Sequence, residues 1–220
     1  MMKFRFAVLV GLALFAKVGF AQQEEPSKVE FYGEYSFLRF NPTLQGLPSR
    51  DFEGGGGGVD FYFNKNFGIK GDFMAYGSTT WTVTFPQVLV VTPHGTSEIV
   101  PAGTFSTSAN MNTYQIGPVI RFPWRSATIF GEVLFGGANT NGYANLERSI
   151  DLGGGSLNVT GSQHPFAMSV GGGVDFNVGK HFAIRAAELD YFLTRFTNPV
   201  TSTNNQNNFR YLAGVVFKFR

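Results

Sequence analysis

His94, His164 and His181 are the only imidazoles in this 220-residue chain, and it has no cysteine. Nucleophilic, general-base or metal chemistry would have to be built around them. Ser162-Gln163-His164-Pro165 sets a hydroxyl and an imidazole two residues apart, a pairing that can supply nucleophile and base. His94 follows Thr92-Pro93, and His181 closes Gly179-Lys180-His181, remote from the other two. None has partners at ligand or triad spacing, so no catalytic, cofactor-binding or metal-binding residue is assigned. The glycine runs Gly54 to Gly58, Gly153 to Gly155 and Gly171 to Gly173 are not followed by the Lys-Ser/Thr of a phosphate loop and open no helical pattern. Glycine in such places relieves strand curvature and lets aromatic neighbours cover bare backbone.

The charged residues say more. Glu30, Glu34, Asp60, Lys70, Asp72, Arg121, Glu132, Asp175, Arg185, Glu188, Asp190, Arg210 and Lys218 fall on alternate positions, opposite aromatic and aliphatic ones. If the apolar face meets lipid, these charges must face an enclosed interior, where an unpaired charge is strongly unfavourable. Glu30, Glu34, Asp60, Lys70, Asp72, Arg121, Glu132, Asp175, Arg185 and Lys218 are therefore expected to form an interior network. Across hairpins, Asp60 would face Lys70 and Asp175 would face Arg185. Both signs are present, which predicts an interior close to neutral, cross-linked by ion pairs and filled.

Period-two alternation defines the elements that hold these residues. Eight segments show it: 29–40, 57–63, 67–76, about 110–122, 127–137, 166–178, 182–196 and 209–219. In the last, Tyr211, Ala213, Val215, Phe217 and Phe219 share a face. In 182–196 the phase slips between Ile184 and Leu189, and a β-bulge near Ala186-Ala187 would restore it. Connections alternate between short turns (64–66, 123–126, 179–181) and longer polar loops (about 41–56, 77–109, 138–165, 197–208). Turns on one side and loops on the other are what a membrane barrel shows, and a sandwich has no reason to sort them so. The strand–turn–strand unit also repeats: GGGVDFYFNKNFGIKGDFMAY from Gly56 parallels GGGVDFNVGKHFAIRAAELDYF from Gly171, with a weaker copy from Ile116. Tyr35, Phe37, Phe40, Tyr76, Trp81, Tyr114, Phe122, Trp124, Tyr191, Phe196 and Phe219 fall toward strand ends, as interfacial girdles do.

The N-terminus sets the compartment. Met1-Met-Lys-Phe-Arg5 is a basic start, FAVLVGLALFA from Phe6 is an apolar run, and Gly19-Phe20-Ala21 offers small residues for cleavage before Gln22. The expected organisation is a signal peptide at 1–21, a short linker at 22–28 and one barrel domain at 29–220. Removing 1–21 takes away Lys3, Arg5 and Lys17 but no acid, so the net charge falls from +2 to −1. No basic surface is left for nucleic acid, and the lack of cysteine excludes disulfides and thiolate metal sites.

Together, the signal sequence, the eight segments, the loop sorting and the stretch FAIRAAELDYFLTRF…QNNFRYLAGVVFKF resemble the small bacterial outer-membrane β-barrels of the OmpA-like/OmpX-like superfamily. Arg185…Asp190-Tyr191…Thr194-x-Phe196 and Asn207-Asn208-Phe209-Arg210 are similar to the last hairpin of its stand-alone members. The closing Phe219 is similar to their C-terminal signal strand, although Arg220 follows it. The resemblance implies an all-β, eight-stranded antiparallel up-and-down transmembrane barrel in the bacterial outer membrane. Implied partners are outer-membrane lipid, lipopolysaccharide and the barrel-assembly machinery, with a monomer as the simplest state. The expected function is non-enzymatic, in envelope integrity or surface binding through the loops. A small-solute channel and an outer-leaflet lipid-modifying enzyme stay open. Against the enzyme, His164 is followed by Pro165-Phe166, not the His-x-Ser strand motif of deacylases of the PagL kind.

Overall fold

The computed structural model describes residues 27–42, 48–85, 88–91, 97–100, 103–124, 126–141, 162–195 and 205–220. The expected signal peptide, linker positions 22–26, His94 and Phe196 lie outside these residues. The strands are β1 (Val29–Phe40), β2 (Arg50–Tyr62), β3 (Phe67–Phe85), β4 (Val88–Val91), β5 (Ser97–Val100), β6 (Gly103–Trp124), β7 (Ala127–Asn141), β8 (Ser162–Gln163), β9 (Phe166–Asn177), β10 (Phe182–Arg195) and β11 (Asn205–Phe219). Eight of them pair in the order β6-β3-β2-β1-β11-β10-β9-β7, and β6 pairs with β7 to close the ring. All pairings are antiparallel, and β1 meets β11 from Val29↔Phe219 to Arg39↔Phe209. β8 adds two residue pairs to β7, and β4 with β5 forms a separate ribbon.

Burial is inverted relative to a water-soluble protein. Phe31, Phe61, Phe73, Ile116, Leu189 and Phe217 are exposed on the outside, while Glu30, Asp60, Lys70, Arg185 and Arg210 are buried inside. The alternation is strict along β1, whose even-numbered residues are all buried. A closed ring has no unpaired edge, and an apolar exterior over a polar interior is stable in hydrocarbon, where every backbone group must find its partner within the protein. The molecule is therefore a membrane-spanning barrel.

One end of the barrel carries the short turns, and the other the long connections. The strands run further toward the loop end than the apolar alternation does. β2 begins at Arg50, β3 continues to Phe85, β6 begins at Gly103 and β7 continues to Asn141. Crossing the apolar core takes only ~9–11 residues, whereas β3 has 19 residues and β6 has 22. Beyond it the sheet is held by polar cross-strand pairs, Thr80 with Ser108 (2.9 Å) and Thr82 with Ser106 (3.0 Å). Hydropathy marks the lipid layer, not the end of the sheet.

Phe40 and Tyr76, expected in the girdle, are buried inside with Phe52. Their even positions share the parity of Glu34 and Asp72, and parity overrides the preference of an aromatic ring for an interface. The other residues expected there with described side chains stay on the outer face, with Trp124 72% exposed at a turn.

Candidate functional site

The interior of the barrel is built by one inward residue from every second position of eight strands. At the turn end Arg121 (β6) donates from Nη1 to Glu30 Oε1 (2.5 Å), from Nη2 to the Ser27 carbonyl (2.6 Å) and from Nε to the Lys65 carbonyl (3.0 Å). Its guanidinium lies 3.4 Å from the centre of the Tyr62 ring, and Ser27 donates to Glu30 as well. One side chain thus ties β6 to β1, to the first turn and to the segment before β1.

The next level centres on Arg185 and Lys70. Arg185 donates from Nε to Asp175 Oδ1 (2.8 Å), and from Nη1 to Glu34 Oε1 (2.6 Å) and Glu188 Oε2 (2.8 Å). Lys70 Nζ donates to Glu132 Oε2 (2.8 Å) and Glu188 Oε1 (3.0 Å). Glu188 bridges the two cations. The β10 irregularity makes this possible: the register shifts between Arg185 and Glu188, so both point inward although they are three apart. Further along, Arg210 donates to Asp190 Oδ2 (2.8 Å) and Asp72 Oδ2 (3.2 Å).

Tyr32 and Gly58 show why β2 is glycine-rich. Gly58 pairs with Tyr32 on one side and Asp72 on the other. A Cβ at Gly58 would collide with the Tyr32 hydroxyl and the Gly71 carbonyl. Without it the phenol crosses over bare backbone and donates to the Gly71 carbonyl (3.0 Å) and Asp72 Oδ1 (3.1 Å). The Lys70 ammonium sits 4.7 Å from the centre of the same ring, where the aromatic face attracts a cation.

Toward the loop end the filling becomes apolar. Leu38, Phe40, Phe52, Met74, Tyr76, Met111 and Phe192 form one buried cluster. Beyond and beside it lie polar contacts, such as Ser169 to Gln115 (2.7 Å) and Thr194 to Gln206 (2.9 Å). The bore is occupied by a charged layer and an apolar layer in series.

Of the expected network, Glu30, Glu34, Asp60, Lys70, Asp72, Arg121, Glu132, Asp175 and Arg185 are buried in the interior. Lys218 is only half-buried at the rim and donates to Asn177 (2.7 Å). Asp175 meets Arg185 as the hairpin pairing predicts. Asp60 is the register partner of Lys70, yet Lys70 reaches across the bore to two glutamates. Neither carboxylate oxygen of Asp60 has a hydrogen-bond partner, and its nearest cation is Arg185 at 3.9 Å. Glu188, Asp190 and Arg210 share the inward parity but are not in the expected network; the structure adds them, Glu188 meeting Arg185 and Lys70, and Arg210 meeting Asp190 and Asp72.

The expectation of a near-neutral interior is corrected. Among the described residues the buried acids are Glu30, Glu34, Asp60, Asp72, Glu132, Asp175, Glu188 and Asp190, and the buried bases are Lys70, Arg121, Arg185 and Arg210. Acids outnumber bases two to one. The apolar layer is a second difference from the expected charged interior; its signal is the parity of Leu38, Phe40, Phe52, Met74 and Phe192, which places apolar residues inside as readily as charges. His164 is exposed at the loop end and His181 at the turn end, and the His181 ring bonds to the Lys218 carbonyl (3.0 Å).

No protein-family profile and no curated protein matches the sequence. Solved structures do match. Neisserial surface protein A superposes with a TM-score of 0.58 at 12% identity, covering 89% of this chain and all of that one. Ail, the attachment invasion locus protein of Yersinia pestis, gives 0.48 at 14%, with 89% and 100% covered. The outer-membrane protein OprG from Pseudomonas aeruginosa gives 0.48 at 12%, with 89% and 98% covered. At such identity the likeness to the Neisserial protein speaks to fold. With the ring closed through β6–β7 and the charges enclosed, this chain has the fold of the small eight-strand outer-membrane β-barrels.

Proposed function

We propose that this chain is a non-enzymatic integral barrel of the bacterial outer membrane, closed to solutes, that serves envelope integrity or surface binding through its loop end. The observation that carries this reading is the filled bore. Arg185, Arg210, Lys70, Phe192, Leu38, Met74, Met111 and Leu134 are its largest fully buried side chains. Eight strands enclose a space just wide enough for side chains to occupy. A charged layer cross-linked by arginine and an apolar layer in series occupy the described interior, which favours the closed reading over the solute channel.

The outer face supports membrane residence, and the Thr/Ser-lined continuation of β3 and β6 supports a presented loop end. That the Neisserial structure with the same fold is a surface protein is in keeping with this. Lipopolysaccharide and lipid would contact the aromatic exterior, and the barrel-assembly machinery would engage β11, whose outer face carries Phe217 and Phe219 at the turn end. Planar-bilayer recording with the refolded full chain tests the reading. Little or no stable conductance is expected; large, steady ohmic steps would overturn it in favour of the channel. Lipid-A mass spectra with and without the gene test the enzyme: unchanged spectra are expected, and a lost acyl chain would overturn the non-enzymatic reading.

A further inference from the structure

The surplus of buried acid is not spread evenly, and one part of it has the form of a ligand set. Glu132 on β7 and Asp190 on β10 are both register partners of Gly171 on β9. The three positions form a row across adjacent strands, with side chains at its ends and none in the middle. A Cβ at Gly171 would collide with Asp190 Oδ1, so that oxygen lies over the bare backbone between the two acids. Glu188 approaches from one step along β10. One carboxylate oxygen from each of Glu132, Glu188 and Asp190 lies within 4.8 Å of the others.

A second observation points to a ligand. Glu132 and Asp190 are 4% and 1% exposed, and each keeps one oxygen, Oε1 and Oδ1, without any hydrogen-bond partner. Their other oxygens are taken by Lys70 and Arg210. Unpaired carboxylate oxygens enclosed this way are strongly unfavourable unless something positive meets them. The neighbouring cations do not balance the charge. Lys70, Arg185 and Arg210 serve Glu34, Asp72, Glu132, Asp175, Glu188 and Asp190, and Asp60 stands 3.9 Å from Arg185.

We infer that Glu132, Asp190 and Glu188, around Gly171, form a binding site for a hard divalent cation in the lumen. Carboxylate-only donors select the oxygen-preferring class, calcium above all, since it accepts mixed and irregular oxygen sets. The ion would offset part of the acid surplus and cross-link β7 to β10 across the glycine row. Because the site is buried, the ion would enter during folding and leave slowly. This inference goes beyond the closed-barrel reading and does not depend on whether the protein conducts.

The test uses the full chain, freed of metal in denaturant and refolded into detergent with calcium, then desalted through a chelating resin. Calcium is measured by mass spectrometry per folded chain, with folding scored by resistance of the barrel to unfolding in cold SDS. A single retained ion per folded chain is expected, lost in Glu132→Gln and Asp190→Asn and kept in Asp51→Asn, an exposed rim carboxylate. Calcium present during refolding should also raise the unfolding temperature of the wild type, as a ligand of the folded state must, and leave that of Asp190→Asn unchanged. Folded wild type that retains no calcium would overturn the proposal, the surplus then being neutralised by protons; this holds even if the lumen variants fail to fold. Equal retention by both lumen variants, or loss in Asp51→Asn, would overturn it as well.

Discussion

Arg185 and Asp60 stand 3.9 Å apart in the same layer, yet their substitution should have opposite effects. Arg185 is the shared donor for Asp175, Glu34 and Glu188. Its removal strands Asp175 and Glu34 and leaves Glu188 with Lys70 alone, and breaking a buried pair in this way costs about 3–5 kcal/mol. Arg185→Ala should therefore lose stability on that scale, read from urea unfolding in lipid vesicles. Asp60 has no hydrogen bond to lose. Asp60→Asn removes one negative charge from an acid-rich layer and should be neutral or stabilising in the same assay. A loss as large as that of Arg185→Ala would show that Asp60 has a partner essential to the fold. Lys218→Gln, at the half-buried rim, should change stability by less than about 1 kcal/mol, as expected of a solvent-screened group.

At the scale of the strand, position along the barrel decides what a charge costs on the outside. Leu189→Arg and Ile116→Arg, exposed near the middle of β10 and β6, should lose about 2–4 kcal/mol, whereas Trp124→Arg at a turn should lose about 0–1 kcal/mol. Refolding titrations into lipid vesicles would reveal the gradient; a flat response would mean that this face does not meet hydrocarbon. The bulge is a sharper case. Two residues, Ala186 and Ala187, stand opposite one on β11, so deleting Ala186 would remove the bulge and leave Arg185, Glu188 and Asp190 inward and Leu189 and Tyr191 outward in unbroken alternation. A folded barrel is therefore expected on a gel of the refolding reaction, and its absence would show that the bulge itself is required for the fold. This bulge was legible in the sequence, since Ile184 and Leu189 both need the outer face and stand an odd number apart. The strand phases were legible for the same reason. The strand ends were not: Thr80, Thr82, Ser106 and Ser108 carry no apolar alternation and pair through hydroxyls. Nor was the choice of partner within the lumen, because parity gives the side a residue faces but not the distance a flexible lysine reaches. Lys70 could have met Asp60 and instead spans the bore.

For the molecule as a whole, closure is what makes an apolar exterior tenable. β1 and β11 complete the ring through Val29↔Phe219, and each strand without its neighbour would hold unpaired amides in lipid. Removing β11 should abolish the compact, SDS-resistant form altogether instead of leaving a weakened barrel, which a truncated chain compared on the same gel would show. The seam has a further consequence, in time. The pairing that closes the barrel joins the first strand to the last, so its loop-closure entropy is met only after the intervening strands are in place, and contacts of such high sequence separation form slowly. Until then every intermediate carries two open edges and exposed aromatic surface, the combination most prone to aggregation. The first strand to leave the ribosome must wait for Phe219, which makes an escort for the unfinished chain a requirement of its topology.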